Sequence, residues 1–328
     1  MQSRIESYVG DDAQNQRALL SMKNPISYGK IIDWDTMENI WNYIFNNELG
    51  IKSNDHPVLS TEYPLTDNTS REKMCETMFE KCNVPSLFIS NESILPLYGS
   101  GKLTGVVVSS GHDLTSVVPI VNGHTVDNAI KLLYVAGKDI SEKIIKNLEK
   151  RDIYLGNMNE KLIANNIKEN YCYVAMNYIE EDKMFVPENK LPYTLPDGKI
   201  IEIGKERFNC PELLFHPDYV DLRRSGIQNI TIDSIGLTPR EYHDVLYDNI
   251  FLTGGSTLIP GFPQRYLQEL TSLAPKGTNI NIFSPPEREQ SAWIGGSIIA
   301  QLEAFESFWI TKEEYLEFGT SIANKKRL

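Results

Sequence analysis

The feature that most constrains the fold is a pair of apolar, β-branched segments joined by a short polar turn. Residues 104–111 read TGVVVSSG and residues 114–120 read LTSVVPI, with His112-Asp113 between them. Valine and threonine favour strands, and two such runs around a two-residue turn predict an antiparallel β-hairpin. The chain must therefore contain a β-sheet.

Short strands and amphipathic helices alternate before this hairpin. Helical spacing of apolar residues predicts a helix over Asp35–Phe45, opened by an Asp cap, and a second one over Arg71–Cys82. The runs Pro57–Thr61 and Ser86–Ser90 predict strands. This alternation predicts an α/β lobe, and 328 residues are enough for two lobes.

The second half of the chain continues the mixed pattern. The segment Ile130 to about Val174 is predicted mostly helical, and a turn at Leu195–Lys199 leads into a strand at Ile200–Ile203. A buried strand ending in glycines is predicted at Asn249–Ser256. Helices are predicted at Pro263–Leu273, Trp293–Trp309 and Lys312–Phe318.

Composition and charge exclude several classes of protein. The net charge of −12 argues against nucleic-acid or anionic-membrane binding, and no apolar run is long enough to span a bilayer. The cysteines form no CxxC pair and the histidines have no metal-ligand spacing, so we expect reduced thiols, no metal site and a cytoplasmic location. Cys75 and Cys82 lie seven residues apart on one face of a predicted helix, which favours burial in the core.

Two strand-to-loop transitions carry small residues that leave backbone N–H groups accessible. One is Ser109–Asp113 in the hairpin, and the other is Thr253–Thr257 after the buried strand. Such turns can cradle a phosphate, although a single one is more often only a tight turn. Two of them facing each other across a cleft would form a ligand site.

The chain resembles actin in six segments, which occur in the order found in actin and at nearly its spacing. The resemblance runs from Ser7 to the C-terminus, with one small deletion near residues 182–189. The segments are Ser7–Gln14, His56–Leu59, Arg71–Met74, Leu195–Gly198, Pro285–Arg288 and Trp293–Ser297.

This resemblance implies the actin-like two-lobed ATPase fold, with ribonuclease-H-like halves and ATP or ADP with Mg²⁺ or Ca²⁺ between the lobes. It assigns residues 1–24 to a remnant of subdomain 2, and residues 25–99 with 291–328 to subdomain 1. Residues 100–135 with 223–290 correspond to subdomain 3, and residues 136–222 to subdomain 4.

The resemblance starts after the first phosphate hairpin of the family. The aspartate and lysine of that hairpin, the loop that inserts into the next filament subunit and three strands of the small lobe's sheet are therefore expected to be absent. Only the strands at Pro57 and Ser86 would remain in that sheet, with unpaired edges.

The second phosphate hairpin is present but altered. Ser109 replaces an acidic residue of the metal's outer shell, His112 replaces an aspartate, and Asp113 replaces a glycine. A carboxylate at contact distance from a polyphosphate costs several kcal/mol at an effective dielectric of about 20. Ser116 stands in place of a histidine that arranges the attacking water, and Glu92 in place of the water-positioning glutamine.

Matches to the nucleoside side of the family's site are better preserved. Leu258 replaces a methionine, and Glu289 reverses the charge of a lysine near the adenine. Weak nucleotide binding and poor hydrolysis are therefore expected. The full set of candidate nucleotide-binding residues is Ser109, Ser110, Gly111, His112, Asp113, Leu114, Gly137, Lys168, Glu169, Gly254, Gly255, Ser256, Leu258 and Glu289.

The family also carries a groove that receives amphipathic helices of regulatory proteins. Its matching positions here are mostly apolar, so actin or actin-binding proteins are the expected partners. The alternative is that Ile298, Leu302 and Phe308 form only the buried stripe of the last helix. The groove positions are Tyr98, Gly101, Leu103, Gly123, Ile298, Ile299, Leu302 and Phe308.

Three interpretations follow from these matches. The first is a cytoskeletal actin-family protein that binds ATP weakly, hydrolyses it poorly and polymerises poorly. The second is a non-polymerising pseudo-actin that binds regulators through the groove. The third is the product of a decayed or incomplete gene.

Overall fold

The computed structural model describes residues 8–16, 19–155, 160–220 and 225–327. The chain divides into two compact units, a smaller one of Met1–Glu92 with Ile299–Leu328 and a larger one of Ser93–Ile298. The finer division into four subdomains stays a prediction.

The strands and helices alternate along much of the chain. The strands are β1 Ile26–Ser27, β2 Lys30–Ile31, β3 Val58–Glu62, β4 Ser86–Asn91, β5 Gly105–Ser110, β6 Thr115–Val121, β7 His124–Thr125, β8 Lys131–Leu133, β9 Leu191–Thr194, β10 Ile200–Ile203, β11 Ile250–Thr253, β12 Ile282–Phe283 and β13 Ile310–Thr311. The helices are α1 Gly10–Asn15, α2 Trp34–Tyr43, α3 Asn68–Glu76, α4 Ile94–Gly99, α5 Gly137–Glu149, α6 Glu160–Tyr171, α7 Tyr178–Met184, α8 Glu206–Asn209, α9 Ile227–Gly236, α10 His243–Tyr247, α11 Phe262–Leu273, α12 Ser291–Ile299, α13 Lys312–Phe318 and α14 Ile322–Lys325.

The larger unit is built on a six-stranded sheet in the order β12-β11-β5-β6-β7, with β8 also paired to β6. The predicted hairpin is confirmed: β5 and β6 are antiparallel, with Ser110 opposite Thr115. Strand β11 runs parallel to β5, and Thr253 lies opposite Ser109. The hairpin turn and the loop that follows β11 therefore lie side by side at the same end of the strands.

Both faces of this sheet are covered. Val106 and Val108 belong to a core formed with α5, α6, α9 and α11. Val107 and Val118 point to the opposite face, where they pack with Ile94 of α4. Side chains alternate between the faces of a strand, so a strand covered on both sides needs the continuous apolar run seen in β5.

The smaller unit has a three-stranded sheet in the order β13-β4-β3. The expectation that only two strands remain here is wrong. Ile310–Thr311 pairs antiparallel with Ser86 and Leu87, so β4 is a central strand. Two residues are too few to show strand periodicity, and the pairing with β4 defines this strand.

The predicted helix over Trp293–Trp309 is also wrong in its second half. Helix α12 ends at Ile299, and a 3₁₀ turn occupies Glu303–Phe308 before β13. The turn brings the Phe305 ring edge-on to Phe88, with ring centroids 4.8 Å apart. Aromatic packing against β4 thus overrides the helical spacing of the sequence.

Smaller differences concern a helix start and a missed strand. The cap of α2 is Asp33, whose Oδ1 accepts from Thr36 N at 3.0 Å, and not Asp35. The segment from Ile130 begins with β8, because its residues pair with β6. The bounds of α13 are those predicted.

All four cysteines are buried and free. Burial raises the pKa of Cys75 to about 12 and that of Cys82 to about 11. These two thiols are core groups, as the sequence predicted. Within the described ranges, no helix is long and apolar enough to cross a membrane.

Candidate functional site

The tip of the hairpin is a tight turn that is stabilised by hydrogen bonds between its own buried groups and to the following strand segment. Gly111 N donates to Leu114 O at 3.1 Å, which closes the turn. The buried Ser110 hydroxyl lies 2.8 Å from Thr115 Oγ1, and Thr115 Oγ1 donates to Val135 O at 2.8 Å. The small hydroxyl residues are therefore needed to build the turn.

The start of α5 and the loop after β11 both contact this tip. Gly111 O accepts from Gly137 N at 3.0 Å and from Ser256 Oγ at 2.7 Å. Lys138 N donates to His112 O at 2.7 Å. The first amides of α5 are thus used by the hairpin, and these bonds join three segments distant in sequence.

Gly254 is required by its backbone geometry. Its φ is 83°, and a Cβ atom would lie 2.4 Å from Ser110 O. Only glycine combines such a φ with so close an approach. This contact keeps the loop after β11 packed on the end of β5.

These segments border a cavity of about 410 Å³, which we call the hairpin cavity. Its volume lies in the usual range for small-molecule sites. All lining residues except Ile259 were predicted from the sequence, and Ile259 follows directly on the predicted Leu258. The lining is Gly111, His112, Lys168, Glu169, Gly255, Ser256, Leu258, Ile259 and Glu289.

The remaining predicted residues lie beside this lining. Ser110, Gly137 and Gly254 form the framework just described. Ser109 pairs across the sheet with Thr253, and Leu114 closes the turn through its carbonyl. Asp113 follows His112 at the tip, with its Oδ1 3.8 Å from His112 Nε2.

The charges around the cavity are mainly acidic. Lys168 is buried, and its Nζ donates to Asn165 Oδ1 at 3.1 Å and to Gly137 O at 3.4 Å. Burial lowers the pKa of Lys168 and also that of His112. Glu169 and Glu289 add carboxylates, and Glu289 Oε2 lies 3.7 Å from the position of a Cβ on Gly255.

A family model described as Actin matches residues 1–328, the whole chain. The chain belongs to the actin family. The mixed α/β architecture, with its two units, is consistent with the fold of that family.

Two positions that match catalytic residues of the actin family do not line the hairpin cavity. Ser116 is buried in β6, opposite Ser109. Glu92 belongs to the smaller unit, where its N–H donates to Glu62 O at 2.9 Å at the end of β4. Burial raises the pKa of Glu92 to about 7.

Five of the groove positions lie in the larger unit. Tyr98 Oη donates to Gly123 O at 2.9 Å, and Gly123 N donates to Leu103 O at 2.7 Å. Gly101 N donates to Tyr98 O at 2.9 Å, so these four residues form one cluster. Ile298 lies near the end of α4, with its Cδ1 3.8 Å from a Cβ placed on Gly99.

The three other groove positions belong to the smaller unit. Leu302 is 53% exposed and Ile299 only 5%, and Phe308 packs on Phe305. Ile298 in the larger unit is 43% exposed. The alternative of a single buried helical stripe is wrong for Ile298 and Leu302, because both side chains face solvent and Leu302 lies beyond the helix.

The donor set of the site fits a nucleoside better than a bound metal. Among the described residues, no three His, Cys, Asp or Glu side chains are grouped to hold a metal ion. A Cβ on Gly137 would lie 2.8 Å from Ser256 Oγ and one on Gly254 2.4 Å from Ser110 O, so both glycines pack the framework beside the cavity. Gly255, Ser256, Leu258 and Ile259 give the cavity a mixed polar and apolar wall.

Proposed function

We propose that this chain is a cytoskeletal actin-family protein with a degenerate nucleotide site. It binds ATP or ADP weakly in the hairpin cavity, hydrolyses ATP poorly and forms filaments poorly. The observation that carries this proposal is the charge of the cavity lining. Among the described lining residues, Lys168 is already held by Asn165 and Gly137, while Glu169 and Glu289 are both acidic.

Electrostatic repulsion weakens binding of the phosphate part of a nucleotide and not of its uncharged nucleoside part. Two unit charges 4 Å apart interact by about 4 kcal/mol at an effective dielectric of 20. Asp113 lies at the hairpin tip, with its Oδ1 3.8 Å from His112 Nε2, so the tip presents a carboxyl group on the phosphate side. A triphosphate therefore gains little from the cavity, whereas an uncharged nucleoside is not repelled.

Glu92 is expected to impair ATP hydrolysis less than an ionised carboxylate at this position would. With a pKa of about 7, its carboxyl is largely neutral below that pH. A neutral carboxyl has one donor and one acceptor, as the carboxamide of glutamine does. The loss of hydrolysis is therefore assigned to Ser116 and to the acidic phosphate side.

The test is a titration of purified protein with a fluorescent ATP analogue in the presence of Mg²⁺. We expect weak binding by the wild type and about tenfold tighter binding by Glu289→Lys, from removal of one repulsive charge. The matched control is Glu287→Lys, which makes the same change two residues away at an exposed position outside the cavity lining. Tight, Mg²⁺-dependent binding by the wild type would overturn the proposal, as would equal effects of the two variants.

Filament formation and hydrolysis are checked separately. After addition of polymerising salt, ultracentrifugation should leave the protein in the supernatant, and phosphate release should stay at background. Robust sedimenting filaments would contradict poor polymerisation, even if nucleotide binding proved weak.

A second candidate function is that of a non-polymerising module that binds amphipathic helices of actin regulators. The exposure of Leu103 and Ile298, both in the larger unit, favours it, since exposed apolar side chains suit helix docking. The test is binding of a labelled amphipathic helical peptide to wild type and to Leu103→Asp. Binding that the aspartate abolishes supports this function, and equal binding contradicts it.

A further inference from the structure

The hydroxyl and ammonium donors that line the hairpin cavity are engaged by the protein itself. Ser256 Oγ donates to Gly111 O at 2.7 Å, and a hydroxyl has only this one proton to give. Lys168 Nζ donates to Asn165 Oδ1 at 3.1 Å and to Gly137 O at 3.4 Å. Both groups are therefore largely used in holding the framework of the site.

The two carboxylates of the described lining are available to a ligand. Glu169 and Glu289 are both exposed, and no described residue donates a hydrogen bond to either of them. A carboxylate only accepts hydrogen bonds, and its two oxygens can accept from two donors that lie side by side. A ligand edge with two adjacent donors therefore complements this lining.

The backbone that carries Glu289 is fixed by its buried neighbour, Arg288. The Nε of Arg288 donates to Thr257 Oγ1 at 2.9 Å, and its Nη2 donates to Thr257 O at 2.8 Å. Its Nη1 donates to Pro285 O at 2.9 Å, and Gly254 N donates to Arg288 O at 3.3 Å. These bonds hold the segment against the loop after β11, and they use the guanidinium that lies next to the carboxylate in sequence.

An open backbone surface lies beside Glu289. A Cβ atom on Gly255 would lie 3.7 Å from Glu289 Oε2, and no other described atom outside its chain neighbours would be within 4 Å. Leu258 and Ile259 supply an apolar wall to the same cavity. A flat ring can therefore lie over Gly255 and against this wall with one edge directed at the carboxylate.

The two purine bases differ in the edge that such a carboxylate would meet. Guanine carries N1–H and N2–H₂ next to each other, so both oxygens of one carboxylate can accept from it. Adenine carries N6–H₂ beside an unprotonated N1, so one oxygen accepts and the other faces a lone pair. Bidentate pairs of this kind discriminate strongly between bases.

We propose that the hairpin cavity prefers guanine to adenine, and that Glu289 selects the base by accepting hydrogen bonds from N1–H and N2–H₂. This inference rests on the proposed function, because it names the base of the nucleotide that the cavity binds. It concerns the base alone, so the small contribution expected from the phosphates is unchanged.

Glu169 is the other carboxylate that a base could meet. It follows Lys168 in α6, so a positive charge of the lining lies next to it. No described lysine or arginine pairs with Glu289, and the open surface over Gly255 borders Glu289 and not Glu169. The contact with the base is therefore assigned to Glu289.

The experiment measures binding of the 5′-monophosphates of guanosine, adenosine and inosine to the full chain by isothermal titration calorimetry. The phosphate is common to all three, so differences in affinity report the base. The guanosine compound should bind at least about tenfold more tightly than the adenosine compound, the lower end of what a bidentate pair supplies. Inosine keeps N1–H and lacks the 2-amino group, so its affinity should lie between the two.

Glu289→Gln tests the assigned residue. A carboxamide donates as well as accepts, so it can pair with N1 and N6 of adenine and no longer matches the two donors of guanine. The preference for guanine should therefore fall below about twofold or reverse. The matched control is Glu287→Gln, which removes the same charge at an exposed position outside the lining and should keep the wild-type ratio.

Equal affinities for the guanosine and adenosine compounds would overturn this inference and leave nucleotide binding in the cavity standing. A guanine preference that Glu289→Gln leaves unchanged would also overturn it, as would one that only Glu169→Gln removes. No binding of any of the three monophosphates would overturn the proposed function together with this inference.

Discussion

The hairpin cavity of the larger unit and the outer edge of strand β3 in the smaller unit differ in how their backbone groups are hydrogen-bonded. Around the hairpin cavity, Gly111 O accepts two hydrogen bonds and the first amides of α5 donate to the hairpin tip. Strand β3 pairs with β4, and its other edge has no strand partner among the described residues. The hairpin cavity must therefore recognise a ligand mainly through side chains, whereas the outer edge of β3 leaves backbone groups unpaired by any described strand.

The buried ion pairs show the same difference. In the larger unit, Arg265 binds both oxygens of Glu212, at 2.9 and 3.2 Å. In the smaller unit, Arg71 binds one oxygen of Glu62, and Oε2 has no donor among the described residues. Glu212 thus has donors on both of its oxygens, whereas Glu62 has a donor on only one of them among the described residues.

The largest expected effect comes from removing these arginines. Arg71→Leu and Arg265→Leu each leave a buried carboxylate uncompensated and should lower the free energy of unfolding by about 3–5 kcal/mol. The control Arg240→Leu, at an exposed position, should change it by less than about 0.5 kcal/mol. Chemical denaturation measures the loss, and hydrogen exchange with mass spectrometry shows which unit loses protection. A loss below about 1 kcal/mol for either buried arginine would show that its carboxylate partner does not depend on it for compensation.

The second effect is a pH dependence in the smaller unit. Burial raises the folded-state pKa of Glu92 to about 7, from an ordinary value of 4.5. The folded chain then holds more protons than the unfolded chain between these values, so stability falls as pH rises through that window. The upper bound of the effect is about 3 kcal/mol.

Glu92→Gln removes this dependence and tests it. The variant should be more stable than the wild type at pH 8 and should lose that advantage at pH 4.5, in urea denaturation at each pH. Glu287→Gln, at an exposed position of the larger unit, is the matched control. An advantage that did not change with pH would show that the Glu92 carboxyl is not desolvated.

A smaller effect is expected from a substitution at the glycine that packs beside the hairpin cavity. Gly254→Ala should cost roughly 1–3 kcal/mol, because a Cβ would lie 2.4 Å from Ser110 O at a φ of 83°. Gly255→Ala is the control, since the nearest atom to its Cβ would be Glu289 Oε2 at 3.7 Å. Thermal melting measures both. Equal costs would mean that the framework around Gly254 is not rigid.

The sequence predicted those parts of the fold that have strong local patterns. The β5–β6 hairpin and β11 carry continuous β-branched or apolar runs, and α13 begins with a capping box between Thr311 and Glu314. Strand β13 and the break after α12 could not be predicted, because they depend on pairing with β4 and on the packing of Phe305 against Phe88.

The candidate site was predictable to a similar extent. Resemblance to actin identified Lys168, Glu169 and Glu289, which come together only in the folded chain. No local pattern could have shown that Gly111 O accepts from both Gly137 and Ser256, since that contact joins three distant segments. The open outer edge of β3 was expected, because the resemblance leaves this sheet with unpaired edges, and no described strand pairs there.

The central claim is that the hairpin cavity binds the nucleoside part of a nucleotide and gains nothing from the phosphates. The most direct measurement is isothermal titration calorimetry of the full chain with adenosine and with ATP, both with Mg²⁺. We predict dissociation constants within about tenfold of each other, which corresponds to less than about 1.4 kcal/mol from the triphosphate. ATP binding more than about a thousandfold tighter than adenosine would contradict the account, because it would require a working phosphate cradle.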